Sequence, residues 1–179
     1  MSDLIEGYLG KTVEGKKSRL PAKLDFMQSF TGGFLGLFMW AHMLLVSSIL
    51  ISKDFMYMVT KLLEGSFIFE GGNPILVTIA AIIIFVVFIV HAALGMRKLP
   101  GNFKQYQVMK AHSKSMNHDD TKLWFIQAFT GFAMFFLGSV HLYIIMINSA
   151  DIGPYESADR IWSEWMWPLY IFLLLAVEF

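Results

Sequence analysis

Three long apolar stretches without a single Asp, Glu, Lys or Arg are the feature that most constrains this chain. They cover 26–51, 74–96 and 123–147. Each is longer than the roughly 20 helical residues that cross about 30 Å of hydrocarbon. With 56% hydrophobic residues, the chain is also too apolar for a soluble domain. We predict an all-α integral membrane protein, built as a bundle of transmembrane helices.

A fourth apolar stretch begins near residue 165 and runs to Phe179. Its length of about 15 residues gives roughly 22 Å of helix, which is short of a full crossing. We therefore expect a helix cut in its middle, within a single transmembrane domain over 1–179 that is incomplete at its C-terminus. With their ends extended slightly, the expected spans are 24–51, 74–98, 121–148 and, in part, 166–179.

The distribution of basic residues predicts the orientation of these spans. Of the 14 Lys and Arg residues, all but Lys53, Lys61 and Arg160 lie in the N-terminal segment or in the loop after the second span. Because short cytoplasmic segments carry the Lys/Arg excess, the N-terminus is expected in the cytoplasm. No basic stripe indicates nucleic-acid binding, and the absence of cysteine excludes thiolate metal sites and iron–sulfur ligation by this chain.

Three of the five histidines, His42, His91 and His141, lie inside the apolar spans, where an ionisable side chain is costly and needs a partner. Successive spans run in opposite directions, so His42 and His141 are expected near the outer face and His91 near the inner face, roughly 15 Å apart in depth. A haem held by two histidines needs both imidazoles at one depth on facing helices. The sequence therefore predicts that His42 and His141 form one haem site, and that the partner of His91 lies beyond residue 179.

Other interpretations of these histidines stay open at this point. A histidine in a span can bridge helices by hydrogen bonds or form one step of a proton or ion pathway. Small residues near the three histidines are consistent with close helix packing and equally with a space that holds a porphyrin. His112 and His118 lie in the polar inner loop and are expected to be solvated.

The segments around the histidines resemble a known family. They are WAHMLLVSSIL, FIVHAALGMRKLPGNFKQY and FTGFAMFFLGSVHLYIIM, accompanied by KKSRLPAKLD, FIFEGGNP and SEWMWPLY. Together they are similar to the dihaem cytochrome b subunit of the fumarate reductase and succinate dehydrogenase superfamily. The resemblance implies five transmembrane helices and two haem b groups. The distal haem would be held by His42 and His141, and the proximal haem by His91 and a histidine absent here.

The resemblance also implies roles for polar residues at matched positions. Gln28, Ser29 and Trp124 match residues that bond the propionates of the proximal haem, and Arg160 matches an arginine near a distal-haem propionate. Without the family, the first three would be read as helix-end polar groups and Arg160 as a solvated loop charge.

Two acidic residues gain implied roles in the same way. Glu64 matches a glutamate linked to menaquinol oxidation, although its sequence context alone indicates a surface loop acid. Glu178 is the one acid within the apolar stretches. An intramembrane carboxylate is functional by default, and here it fits a proton carrier.

The implied function is electron transport in anaerobic respiration at the bacterial cytoplasmic membrane. Menaquinol is oxidised near the outer face, and electrons pass through the two haems to an iron–sulfur subunit and then to a flavoprotein subunit that reduces fumarate. The resemblance implies a subunit of an oxidoreductase, and because the chain has no flavin or phosphate-binding glycine motif, we expect it not to perform the dicarboxylate chemistry itself. The alternatives are a succinate dehydrogenase subunit working in reverse, the cytochrome b subunit of another quinone-linked enzyme, and a small proton or ion transporter.

Overall fold

The computed structural model of the chain describes residues 18–116, 118–163 and 166–178. Every regular element in this part is helical, which confirms the predicted all-α fold. The elements are α1 (Leu20–Val46), the 3-10 turn η1 (Ser47–Leu50), α2 (Lys53–Leu63), α3 (Pro74–Met96), α4 (Phe103–Met116), α5 (Asp119–Ile147), α6 (Pro154–Trp162) and α7 (Met166–Glu178).

Three of these helical segments are long and apolar enough to cross a membrane. They are α1 together with η1, α3 and α5, and α7 is a shorter apolar helix. Most large apolar side chains on them point outward, such as Leu37 and Trp40 on α1 and Phe129 on α5, each more than 70% exposed. This is the arrangement expected of helices surrounded by lipid. The first helix begins at Leu20, earlier than expected, because its first turns include charged residues as well as apolar ones.

Local sequence explains where several helices begin. The Ser52 hydroxyl accepts a hydrogen bond from the backbone of Phe55 at 3.0 Å, which caps α2. The Asn73 side chain accepts a hydrogen bond from the backbone N–H of Ile75 at the start of α3. Pro74 occupies the first position of this helix, where no backbone donor is needed. Pro154 starts α6 by the same rule.

The structure divides into two compact units. The described part of the first unit consists of residues 18–41 and Val86–Leu99, which are the N-terminal part of α1 and the C-terminal part of α3. Asp25 on α1 accepts one hydrogen bond from Arg97 at 2.5 Å and forms an ion pair with Lys98 at 3.3 Å. This cluster ties together the ends of the two helix segments in the unit.

The second unit contains residues 42–85 and the described residues from 100 to 178. Within it, α5 packs against α7, α6 packs against α7, and α2 packs against η1 and α6. A hydroxyl pair adds a polar contact, because Thr78 on α3 donates to Ser149, just after α5, at 2.7 Å.

This hydroxyl pair predicts a difference between two isosteric substitutions. Thr78→Val removes a hydrogen bond between separate segments and should lower the unfolding free energy by about 1 kcal/mol. The control Thr130→Val removes only a bond to the backbone of its own helix and should have a smaller effect. Thermal unfolding of the purified protein in detergent measures both, and equal losses would contradict the role given to the Thr78–Ser149 bond.

Candidate functional site

His42 and His141 approach each other within the second unit. His42 lies near the end of α1 and His141 on α5, and their ring centroids are 6.2 Å apart with an interplanar angle of 60°. Two imidazoles bound to opposite sides of one metal, each through a bond of about 2 Å, have centroids roughly 6 Å apart. The Nδ1 atom of His141 is buried and has no hydrogen-bond partner among the described residues. The pair is therefore spaced to hold one iron between its rings.

Two further side chains lie beside this histidine pair. The ring of Tyr170, on α7, meets His141 edge to face with centroids 5.5 Å apart. Arg160 donates a hydrogen bond to the backbone carbonyl of Asp151 and lies within electrostatic reach of His141 and Tyr170. Arg160 is thus held near the pair rather than being a free loop charge. Sequence analysis missed Tyr170, because an aromatic residue near a helix end is common at a membrane interface.

His91 lies in the first unit and has a different partner. The Thr31 hydroxyl is 2.8 Å from the Met27 carbonyl, to which it donates, and 3.1 Å from Nδ1 of His91. When the single Thr31 proton goes to the Met27 carbonyl, the hydroxyl oxygen accepts from His91, and the ring proton is then on Nδ1. Protonation at Nδ1 leaves the lone pair of Nε2 available to a metal. A Cβ at Gly32 would lie 2.8 Å from Cε1 of His91, so this glycine leaves space for the ring.

The residues matched to propionate contacts occupy separate parts of the structure. Gln28 is partly buried beside Gly95, and its Oε1 atom is buried without a hydrogen-bond partner in the described part of the chain. Ser29 is exposed. Trp124 lies near the start of α5, edge to face with Phe125 at 5.1 Å. Gln28 and Ser29 belong to the first unit and Trp124 to the second.

Glu64 ends α2 and is 1% exposed, which makes it one of the two most completely buried side chains described. Lys61 donates to its Oε2 atom at 2.7 Å, and this hydrogen bond raises the pKa of the Lys61 ammonium group above its ordinary value. The turn that follows folds back over the carboxylate, and Asn73 donates from its backbone to the Glu64 carbonyl at 2.7 Å. The interpretation of Glu64 as a surface loop acid is therefore wrong.

The remaining candidate residues lie outside these clusters. His112 is exposed on α4, and the side chain of His118 is 62% exposed, 3.5 Å from Asp120. Both are solvated, as the sequence predicts. Glu178 is the last residue of α7, and its side chain lies outside the part that the structure describes.

The close fit around Glu64 predicts different effects at two neighbouring glycines. Gly71 and Gly72 both have left-handed backbones, with φ of 82° and 84°. Alanine at either position should therefore lower the free energy of unfolding by about 1–2 kcal/mol. A Cβ at Gly72 would also lie 2.6 Å from Oε2 and 2.8 Å from Cβ of Glu64, whereas one at Gly71 would meet nothing within 4 Å. Gly72→Ala should therefore displace Glu64, and Gly71→Ala should not.

Labelling of carboxyl groups with a polar carbodiimide, read by mass spectrometry, measures this difference. Glu64 should be protected in the wild type and in Gly71→Ala and should be modified in Gly72→Ala. Equal protection of Glu64 in both variants would contradict the packing described for this turn.

Comparison with known proteins places the chain in a family. It is 59% identical over 175 residues to the fumarate reductase cytochrome b subunit of Wolinella succinogenes, covering 98% of this chain and 68% of that protein. It is 52% identical over 176 residues to the protein of the same name from Helicobacter pylori, covering 98% of this chain and 69% of that protein. A family profile described as "Succinate dehydrogenase/Fumarate reductase transmembrane subunit" matches residues 104–179. This multi-pass membrane protein therefore belongs to the fumarate reductase cytochrome b subunits.

Proposed function

We propose that the chain is the haem b membrane-anchor subunit of a fumarate reductase complex and that it delivers electrons from menaquinol in anaerobic respiration. The observation that carries this proposal is the pair of intramembrane imidazoles, His42 and His141, with centroids 6.2 Å apart. The identity of 59% to a protein named a fumarate reductase cytochrome b subunit supports the same function. The proposed partners are the iron–sulfur and flavoprotein subunits, and the proposed location is the bacterial cytoplasmic membrane with the N-terminus inside.

The histidines would hold the haem groups. His42 and His141 would ligate the iron of a distal haem, and His91 would supply one ligand to a proximal haem. Such groups, when bound, supply one-electron transfer inside the membrane. In the chain itself, the hydrogen bond between Thr31 and Nδ1 of His91 fixes the orientation of the ring, and the missing side chain of Gly32 leaves space beside it.

Polar residues would hold the propionates of these groups. The positive charge of Arg160 lies near the histidine pair and would neutralise a distal propionate. Gln28, Ser29 and Trp124 offer hydrogen bonds to the proximal propionates, and the unpaired, buried Oε1 of Gln28 shows that this side chain has unused bonding capacity in the described part.

Glu64 would take a proton from menaquinol. Oxidation of a quinol releases two protons with its two electrons, and a carboxylate within hydrogen-bond reach accepts a proton efficiently. Glu64 is shielded from solvent and held by Lys61 at 2.7 Å, so its orientation is fixed before substrate binds. Glu178, the acid at the end of α7, would carry a proton within the membrane.

The alternative functions predict other features. A small proton or ion transporter would use the histidines as a relay and would contain no chromophore, and the names of the relatives do not favour it. A succinate dehydrogenase subunit would share all of these residues and differ in the direction of electron flow.

Histidine substitutions test the ligand assignment. His42→Ala and His141→Ala should each remove the same haem species from the reduced-minus-oxidised spectrum of the membranes, because each leaves the iron one ligand short. His91→Ala should remove a different species, and the exposed control His112→Ala should remove none. If the spectra of the His42 and His141 variants kept every haem signal, the pairing would be wrong.

Glu64 is tested separately from haem binding. In the assembled complex, Glu64→Gln should slow menaquinol oxidation about 100-fold or more, which is the usual contribution of a general base, while the haem spectrum stays unchanged. Glu70→Gln, an exposed acid six positions along the same connection, is the control and should remain active. Full activity of Glu64→Gln would exclude the proposed role.

A further inference from the structure

We propose that Lys61 is the positioning residue of the quinol site, which keeps the Glu64 carboxylate ionised so that it begins each turnover as a proton acceptor. This inference rests on the proposed function, because it assumes that Glu64 accepts a proton from the quinol. It adds a second residue whose role neither the family resemblance nor the names of the relatives assign.

In the pair of Lys61 and Glu64, the carboxylate is buried and the ammonium group is partly exposed. Lys61 precedes Glu64 by three positions at the end of α2, so both side chains leave the same face of the helix. The Lys61 ammonium nitrogen is 2.7 Å from Oε2, and the side chains are 31% and 1% exposed, respectively. Lys61 therefore touches the buried carboxylate from the side that is open to the exterior.

Burial makes such a cation necessary. Removal of a carboxylate from water favours its neutral form, and an opposite charge within about 4–6 Å restores the ionised form. Among the described residues, Lys61 is the cation within ion-pair distance of Glu64. A neutral carboxylic acid has no capacity to accept the quinol proton. After transfer, the same positive charge favours loss of the proton from Glu64, toward the exposed side of the pair.

The surroundings keep Lys61 itself charged. Its ammonium group lies 5.6 Å from the centre of the Tyr57 ring on the same helix. Tyr57 and Glu156, which is on α6, both act on Lys61 electrostatically, and these effects add to the hydrogen bond that Lys61 donates to Glu64 in raising the pKa of Lys61. The other element packed against α2, η1, has the sequence SSIL and no titratable side chain.

The test is the pH profile of menaquinol-driven haem reduction in the assembled complex. Lys61→Met should move the acidic limb of the profile to higher pH by about one unit or more, since an adjacent opposite charge shifts a carboxyl by about 1–3 units. At a fixed pH on the acidic limb, a shift of one unit corresponds to a rate about tenfold lower. Lys61→Arg should restore the wild-type profile, because it restores the charge.

Lys53→Met is the matched control. Lys53 lies at the start of the same helix and places its ammonium group 4.6 Å from the centre of the Tyr155 ring, so its removal deletes a similar cation–π contact without touching Glu64. Its pH profile should stay that of the wild type. A loss caused by general damage to α2 would instead appear in both lysine variants.

Infrared spectroscopy provides a second measurement that does not depend on turnover. At a pH between the acidic limbs of the two profiles, Lys61→Met should show the C=O absorption of a protonated carboxylic acid, which the wild type lacks at that pH and which disappears in the Lys61→Met/Glu64→Gln double variant. If the Lys61→Met complex fails to assemble, Lys61→Gln allows the same comparison.

The outcomes separate the two proposals. A wild-type profile for Lys61→Met, together with an inactive Glu64→Gln, would overturn the role of Lys61 and leave that of Glu64 intact. A fully active Glu64→Gln would overturn both.

Discussion

The cost of an ionisable side chain in an apolar environment is the constraint on which the rest of this structure depends. Each such group in the described interior has a specific neighbour. His42 lies beside His141, His91 is hydrogen-bonded to Thr31, and the Glu64 carboxylate is paired with Lys61. The helices that carry these pairs otherwise expose apolar side chains. The polar chemistry is therefore concentrated at a few positions, and those positions define the candidate sites.

Much of the fold could be predicted from the sequence, because few backbone structures can cross a membrane. A run of about 20 uncharged apolar residues must become a helix in lipid, since its backbone has no other hydrogen-bond partners there. The spans in α3 and α5 follow from this rule alone. The approach of His42 to His141 also followed from helix direction and residue depth.

The sequence could not predict features that depend on tertiary packing. Glu64 has the local context of a loop acid, and its burial depends on the turn that closes over it through Gly72 and Asn73. Thr31 was missed because a threonine in a span usually bonds only to its own helix. The contact of Tyr170 with His141 could not be predicted, because the sequence alone does not reveal that α7 packs against α5. The partners of Thr31 and Tyr170 come from distant segments, and the cover over Glu64 comes from the turn after its own helix.

His42 and His141, with ring centroids 6.2 Å apart, would together hold one haem iron. A cryo-EM map of the assembled complex in lipid nanodiscs tests this pairing most directly. Porphyrin density is expected between the two rings. A map in which the two histidines contact each other directly, with no density between them, would exclude the pairing.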